Sequence, residues 1–368
     1  MPPSLTFHIV HKPCTIFLVA VLSALLGTII GQMHIVHHNI SSYSLLAATA
    51  VDQGSSLSSS QECPQWSISA GTQKQVQHDY CIRHFTGEAP ASDLVKTKLQ
   101  GPGQRPMDFV VYGGNDIVSG AIQSSGHWEP HLSTALVAAL TKVAEQRGLS
   151  RSQVHLLDIG GNVGAHTVYV QAAGFPVVAF EPLLQNEAII RTNLCFNDPD
   201  QERVTLFTVG LGSEPTKCKQ YSAPNHNRGN GVVSCNGSVP QHADGRLTYR
   251  GQMEVVRLDD VLLPCNSGTE LPHGMVFGAM KMDVEGFEPH VLKGGENFLT
   301  RARIPFIVFE IGRMSEEQRK GVLKFFYGMG YQASTEGFFQ DLGRPEDLSD
   351  VEDVHLVLQA KGVTPSEG

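Results

Sequence analysis

The sequence lacks a long basic stretch, and its 36 acidic residues outnumber its 27 lysines and arginines, giving a formal net charge of -9. Proteins that bind nucleic acid usually present a concentrated basic surface, so no nucleic-acid partner is expected. The seven cysteines include no Cys-x-x-Cys pair, and a zinc site of the usual spacing is therefore not supported. No repeat of fixed period is present, which excludes a repeat architecture.

The N-terminal region contains an apolar run of 17 residues without a charge, 15–31. A membrane-spanning helix needs roughly 17–25 such residues. Lys12 precedes the run and the next lysine or arginine is Lys74, a bias that predicts a cytoplasmic tail over 1–14 and a luminal remainder. We therefore expect a single-pass type II membrane protein with an uncleaved signal anchor. The alternative is a cleaved signal peptide, with Ala48-Thr49-Ala50 as the cleavage pattern.

The cysteines fit a luminal body, because disulfides form and persist in oxidising compartments. Cys63 with Cys81, and Cys218 with Cys235, each enclose a short loop-rich stretch and are the expected pairs. Spacing alone leaves other pairings open. Cys195 lies in an expected helix, and we expect it to be a buried thiol.

Residues 32–104 are predicted to form a stem, because the serine-rich run 54–60 is typical of a flexible linker and shows no apolar period. Over residues 105–360, short apolar runs alternate with segments of helical periodicity, and residues 361–368 form a tail. This alternation predicts an α/β domain with a mostly parallel sheet and helices on both faces. The main predicted strands are 154–158, 176–181, 203–210, 275–283 and 304–311, and the main helices are 165–173, 183–194, 288–300 and 315–328.

Three segments depart from this alternation. Residues 107–112 form a β-type run that a Gly-Gly-Asn-Asp turn would connect to 117–118 as a hairpin. Residues 213–252 give a long irregular segment. The final runs 331–334 and 354–358 are expected to close the sheet as antiparallel edge strands.

Four predicted strands end in a carboxylate. They are Asp158, Glu181, Asp283 and Glu310. The carboxyl ends of parallel strands face one edge of a sheet, where open α/β folds bind their ligands. We therefore expect these acids to line one crevice.

The first of these acids opens a glycine-rich turn, Asp158 to Gly164, between a strand and a helix. A dinucleotide-binding loop needs a second glycine where Asn162 stands, because the backbone must approach a pyrophosphate there. Glu181 lies 21 positions after Gly160, a spacing that suits an acid on ribose hydroxyls. The pattern favours a nucleoside ligand without a pyrophosphate, and S-adenosylmethionine is such a ligand.

The turn and the strand ends together resemble the FkbM-type family of S-adenosylmethionine-dependent methyltransferases. The resemblance covers residues 105–360 and implies a class I (Rossmann-like) methyltransferase fold that usually acts on a hydroxyl oxygen. It further implies that the glycine turn holds the methionine part of the cofactor and that Glu181 holds the ribose. The motifs are Asp158-Ile159-Gly160-Gly161-Asn162-Val163-Gly164, Ala179-Phe180-Glu181-Pro182 with Asn186, Arg257-Leu258-Asp259-Asp260, Lys281-Met282-Asp283-Val284-Glu285-Gly286-Phe287-Glu288-Pro289, Val291-Leu292-Lys293-Gly294-Gly295 and Phe309-Glu310.

Transfer to a hydroxyl benefits from a general base, since a neutral hydroxyl is a poor nucleophile. Asp283 and Glu285 are the candidates, with His127 and His290 as alternatives. Glu288 is expected to complement the dipole of the helix that it begins. A divalent metal held by Glu285, Glu288 and His290 is a further alternative. The sequence departs from the family in 213–252, which we assign to the acceptor side.

These features predict an O-methyltransferase acting on a glycan or another small hydroxylated acceptor. The anchor and stem resemble the layout of Golgi glycan-modifying enzymes, so we expect a luminal Golgi location by analogy. An NAD-dependent oxidoreductase is an alternative that Asn162 disfavours. A membrane-tethered binding module without catalysis is another. The sequence does not predict the oligomeric state.

Overall fold

A computed structural model describes residues 69–359, apart from 199–201, 225, 230, 238–246, 264–270, 272–274, 346–347 and 349–350. The predicted tail 1–14, the apolar run 15–31 and the tail 361–368 lie outside the described residues. The elements are α1 (Ser69–His84), β1 (Leu94–Gln100), β2 (Pro106–Tyr112), α2 (Ile117–Ser125), α3 (Pro130–Arg147), β3 (Val154–Ile159), α4 (Ala165–Ala172), β4 (Val177–Phe180), α5 (Leu184–Asn197), β5 (Val204–Phe207), β6 (Gly210–Leu211), β7 (Thr216–Ser222), β8 (Val232–Ser234), β9 (Thr248–Val256), α6 (Leu258–Leu262), β10 (Val276–Met282), α7 (Glu288–Gly294), α8 (Glu296–Ala302), β11 (Phe306–Glu310), α9 (Glu316–Gly328), β12 (Tyr331–Ser334) and β13 (Asp353–Leu358).

A seven-stranded sheet in the order β12-β13-β11-β10-β3-β4-β5 forms the centre of the fold. Strands β11, β10, β3, β4 and β5 run parallel. Strand β13 is antiparallel to β11, and β12 is antiparallel to β13. The predicted mostly parallel sheet with an antiparallel edge is confirmed.

Both faces of this sheet are covered. Leu156 and Leu157 are successive residues of β3, and they belong to different apolar clusters because successive side chains of a strand point to opposite faces. The first cluster takes residues from α3, α4 and α5, and the second takes residues from α6, α7, α8 and α9. Burial on both faces explains why these strands appear in the sequence as continuous apolar runs.

A second sheet flanks the first, with four strands in the order β6-β9-β7-β8. It lies largely in the segment 213–252 that the sequence predicts to be irregular. The prediction is wrong because β7 alternates charged and buried residues without an apolar run. Lys217 and Lys219 are exposed, whereas Cys218 and Gln220 are buried.

The N-terminal part of the described chain also differs from the prediction. Strand β2 pairs antiparallel with β1, which precedes it, rather than with residues 117–118. Those residues begin α2, because the Asp116 side chain caps this helix by accepting the Ser119 amide at 2.9 Å. Among the described residues, α1 and β1 both lie within the predicted stem 32–104.

The disulfides match the prediction only in part. Cys218 pairs with Cys235, as expected. Cys81 pairs with Cys195 rather than with Cys63, so Cys195 is not a free thiol. This bond joins α1 to α5 across 114 positions of sequence. Gln77 reinforces the contact by donating from Nε2 to the Arg191 carbonyl at 3.0 Å.

The predicted localisation is corrected. Among the residues that the structure describes, no helix has the length and apolar character needed to cross a membrane. The run 15–31, on which the prediction of a type II Golgi membrane protein depends, lies outside those residues.

Candidate functional site

Four carboxylates lie along one edge of the central sheet. Asp158, Asp283 and Glu310 lie at the carboxyl ends of β3, β10 and β11, and Glu181 follows β4. These four strands are neighbours and run parallel, so the acids form a continuous rim. Asp158 is the deepest, fully buried with its Oδ2 accepting the Thr167 hydroxyl at 2.5 Å.

The glycine turn passes close to the end of β10. Gly160 has φ +91°, and a Cβ placed there would lie 1.8 Å from the Asp283 carbonyl oxygen. Asn162 also has a left-handed backbone, with φ +50°. Gly161 and Gly164 face Ile190 of α5, with 3.4 and 3.1 Å between its side chain and an added Cβ. The turn is therefore fixed between the rim and α5.

Glu181 is held by backbone amides beside this turn. Its Oε2 accepts the Asn162 amide at 2.8 Å, and its Oε1 accepts the Leu183 amide at 2.9 Å. The side chain is only 5% exposed, and burial raises the pKa of its carboxyl to about 7 even though these amides favour the charged form.

A cleft opens beside the turn. Gly160, Asn162 and Glu181 line it, together with Asp283 and Glu285. The structure thus brings these five predicted residues together. Asp158, Gly161 and Gly164 are next to them in the chain but do not line the cleft. Apolar side chains complete the lining, among them Phe180, Val209, Leu211 and Met253.

The segment 213–252, which we expected on the acceptor side, contributes Gln220, Gly229, Gly231 and Val233 to the lining of this cleft. Gly229 lines the cleft, and its carbonyl accepts Asn186 Nδ2 at 3.1 Å. Arg228 fixes the loop: its amide donates to Asp116 Oδ2 at 2.6 Å, its guanidinium donates to Asp93 Oδ2 at 2.6 Å, and it lies 4.4 Å from the centre of the Tyr112 ring.

A second, acidic pocket lies on the other side of Asp283. Asp283 lines both cavities and therefore marks where they meet. Lys281 donates from Nζ to Asp283 Oδ2 at 3.1 Å and to the Gly160 carbonyl at 3.2 Å. Burial opposes ionisation of Asp283, but Lys281 holds the pKa of this carboxyl below its usual value. The remaining charged lining residues are Glu129, Glu310, Glu352 and Asp353.

The acids around this junction repel one another. Burial and the charge of Asp283 raise the pKa of Glu285 to about 7, despite a 2.5 Å ion pair with Arg313. Burial, followed by Asp283 and Glu285, raises the pKa of Glu310 to about 9. Burial also raises the pKa of Glu288. The positive charge nearby is therefore too small to neutralise all of these neighbouring carboxylates.

The structure separates the predicted histidines from the junction. His290 is exposed and stacks on Phe287 at 4.5 Å, and among the described residues it does not join the acids that could share a cation. His127 lines neither cavity. His166 is an additional histidine near the acidic pocket that no motif indicates, and its Nε2 lies 3.2 Å from Glu129 Oε2. A single histidine in a helix gives no signal in the sequence. The left-handed backbone of its partner Glu129, just before Pro130, is seen only in the structure.

Three solved methyltransferase structures are similar to the chain at low identity. A precorrin-6Y C5,15-methyltransferase from Geobacter metallireducens GS-15 is 13% identical, with 67% of this chain and 100% of that chain covered and a TM-score of 0.32. An O-methyltransferase from Bacillus cereus in complex with SAH is 15% identical, with 65% and 86% covered and a TM-score of 0.33. A tRNA (uracil-54, C5)-methyltransferase from Pyrococcus abyssi is 13% identical, with 73% and 45% covered and a TM-score of 0.33. No curated protein matches the sequence.

The sequence itself matches the model of the methyltransferase FkbM domain over residues 158–343. This match spans just over half of the 368 residues and includes all four rim acids. It confirms the resemblance that the motifs carry, and it leaves the alternative of an NAD-dependent oxidoreductase without support. The chain therefore belongs to the FkbM methyltransferase family, as an S-adenosylmethionine-dependent methyltransferase of the class I α/β fold.

Proposed function

We propose that this methyltransferase modifies a hydroxyl oxygen of a small polyhydroxylated acceptor, such as a carbohydrate. The observation that carries the proposal is the position of Asp283, which lines the cleft beside the glycine turn and also the acidic pocket. A cofactor in the cleft and an acceptor in the pocket would meet at this residue. Positioning of the two reactants is the main contribution expected of such a site.

The lining of the acidic pocket supports this class of acceptor. Its carboxylates, among them Glu129 and Asp353, can accept hydrogen bonds from several hydroxyl groups and cannot donate any while ionised. The same charges would repel a phosphate or another anion. A neutral or cationic polyol therefore fits the pocket better than nucleic acid does.

The cleft fits S-adenosylmethionine. Glu181 has both carboxylate oxygens fixed by amides, each with a further lone pair for a ribose hydroxyl. Gly160 and Asn162 would hold the methionine end, and the apolar wall of Phe180, Val209 and Leu211 would hold the adenine. Bound S-adenosylmethionine supplies an electrophilic methyl group on a sulfonium sulfur.

Asp283 and Glu285 are the groups placed to take the proton of the acceptor hydroxyl, because both line the cleft at the junction. Lys281 already bonds Oδ2 of Asp283 and fixes its orientation. Lys281 also keeps the pKa of Asp283 low, whereas burial and the charge of Asp283 raise the pKa of Glu285 to about 7 despite its ion pair with Arg313. Glu285 is therefore the stronger base of the two, and we assign the proton to Glu285 and the orienting role to Asp283.

Methyl transfer tests the function directly. Full-length protein should transfer label from S-adenosylmethionine to members of a panel of neutral and amino sugars and other polyols. Glu285→Gln should lower kcat by about 10²–10⁴-fold, the usual contribution of a general base, while cofactor affinity stays within about threefold. Cofactor binding without transfer to any hydroxyl would favour a binding module instead. Full activity of Glu285→Gln would remove Glu285 from the proton-accepting role.

Glu181→Gln should weaken binding of S-adenosylmethionine roughly 10- to 100-fold, because a hydrogen bond to a charged group contributes about 1.5–3 kcal/mol. Isothermal titration of the purified protein measures this change. Glu254→Gln is the matched control, because this substitution removes the same charge outside the cleft. Glu254 pairs with Lys217 at the surface. Equal affinities for the two variants would contradict the ribose role of Glu181.

The pH dependence of binding provides a second readout of the same role. Burial raises the pKa of Glu181 to about 7, and the ionised carboxylate is the better acceptor of ribose hydroxyls. Affinity should therefore be full above about pH 8 and fall as the pH drops through about 7. The plateau at low pH should approach the affinity of Glu181→Gln. Glu285 lines the same cleft and its pKa is also about 7, so any pH dependence that remains in Glu181→Gln is assigned to Glu285.

A further inference from the structure

Three carboxylates converge beside the junction of the two cavities. Asp283 follows β10, Glu288 begins α7 and Glu310 ends β11. Each offers one oxygen, and the three oxygens lie within 4.8 Å of one another. Oxygen ligands lie about 2.0–2.6 Å from a bound Mg²⁺ or Ca²⁺, so opposite ligands of one ion are separated by about 4–5 Å. The spacing of the cluster matches one shared ion.

Glu288 provides an independent observation. It is 1% exposed, and its Oε1 accepts the amides of Val284 and Gly286 at 2.8 and 3.3 Å. Its Oε2 is buried and has no hydrogen-bond partner. A buried carboxylate oxygen without a donor or cation is costly. The backbone thus fixes a fully buried carboxylate with an unsatisfied oxygen beside two further acids.

Glu310 repeats this pattern at the edge of the acidic pocket. Its Oε2 is also buried without a hydrogen-bond partner, and Arg313 approaches its other oxygen only to 3.9 Å. Glu310 and Asp283 lie within hydrogen-bonding distance of each other, so without a cation the two carboxyl groups have to share a proton. Arg313 is mainly engaged by Glu285, and Lys281 by Asp283 Oδ2.

We propose that Asp283, Glu288 and Glu310 bind one hard divalent cation, such as Mg²⁺ or Mn²⁺, at the junction between the cofactor cleft and the acidic pocket. Three carboxylates without sulfur or imidazole are the ligand set that such ions prefer. This inference rests on the proposed function for the role of the ion, which is to hold the acceptor through its hydroxyl oxygens. A bound cation would also stabilise negative charge on that oxygen, while Glu285 takes its proton.

Binding of Mn²⁺ alone tests the site without any acceptor. Full-length protein is treated with EDTA, exchanged into chelator-free buffer and titrated with Mn²⁺ by electron paramagnetic resonance and calorimetry. We expect one ion per chain. Glu288→Gln and Glu310→Gln should each weaken binding about tenfold or more, because each removes a charged ligand.

Glu352→Gln is the matched control, since Glu352 lines the acidic pocket but is not one of the three ligands. Its Mn²⁺ affinity should stay within about threefold of the parent. Absence of stoichiometric Mn²⁺ binding would overturn the proposal, and so would an equal loss in Glu352→Gln. If Glu288→Gln fails to fold, the partly exposed Glu310 still gives the comparison through its own variant.

Activity then separates this inference from the proposed function. With an acceptor that is methylated, EDTA should abolish transfer and Mg²⁺ or Mn²⁺ should restore it, while affinity for S-adenosylmethionine is unchanged. Mn²⁺ binding without methylation of any hydroxyl would reject the proposed function and leave the cation site standing. Methylation that is insensitive to EDTA would reject the catalytic role of the ion and leave the proposed function standing.

Discussion

Gly160→Ala should lower the free energy of unfolding by about 2–5 kcal/mol and abolish binding of S-adenosylmethionine. Two physical effects add at this position. The left-handed backbone, with φ +91°, costs a residue with a Cβ about 1–2 kcal/mol. The new Cβ would also lie 1.8 Å from the Asp283 carbonyl oxygen, and this backbone atom cannot move without displacing the end of β10.

Gly174→Ala is the matched control, because Gly174 has φ +92° but its nearest neighbour to an added Cβ is Arg151 Cδ at 3.8 Å. It should show only the backbone cost of about 1–2 kcal/mol and should bind the cofactor normally. Denaturant unfolding and cofactor titration of both variants give the comparison. Equal stabilities would show that the approach of the turn to β10 is not a constraint on position 160.

Replacing Cys81 and Cys195 together with serine should lower the free energy of unfolding by about 4–5 kcal/mol. The disulfide closes a loop of 114 positions, and cross-links that close long loops restrict the unfolded chain most. The same change should loosen α1, whose other contacts with α5 are side-chain hydrogen bonds of Gln77 and Tyr80. Increased hydrogen exchange in α1 would report this loosening.

The second disulfide supplies the comparison. Cys218 and Cys235 are 17 positions apart, and removing that bond should cost about 3 kcal/mol. Denaturant unfolding of the two double variants, after quantification of free thiols in the parent, measures the difference. A larger loss for the Cys218–Cys235 pair would contradict the dependence on loop length.

The central sheet could be predicted because its strands are buried on both faces. Runs such as Val177 to Phe180, all buried, differ sharply from the amphipathic helices between them. The same physics places acids at predictable points, since Asp158 and Asp283 interrupt apolar runs where strands end. Position along the chain and parallel pairing then bring them to one edge.

Other elements carried no comparable signal. Helix α1 is held by a disulfide and by buried polar contacts of Gln77, so it lacks the apolar stripe by which a helix is recognised. The pairing of Cys81 with Cys195 depends on the packing of α1 against α5, which spacing along the chain does not encode. A strand is predicted at 117–118, but these residues begin a helix because the Asp116 side chain caps it.

The candidate site likewise has one part that the sequence predicts and one part that it does not. The part that we propose for the cofactor follows the order of motifs along the chain, from Gly160 to Glu181. The acidic pocket combines side chains that are distant in sequence, such as Glu129 and Asp353, and only the folded chain brings them together. The predicted role of Glu288 as a charge at a helix start is consistent with the amides that its Oε1 accepts, whereas its buried Oε2 without a hydrogen-bond partner has no counterpart in that role.

The position of Asp283 between two openings has a consequence for the order of events in a catalytic cycle. A cofactor in the cleft and an acceptor in the acidic pocket would approach this residue from different sides. If each reactant occupies the cavity proposed for it, neither would obstruct the other, and no obligatory sequence of binding would be imposed. Spent cofactor would then be able to leave while the acceptor stays in place, and an acceptor with several hydroxyl groups would be methylated more than once in a single encounter.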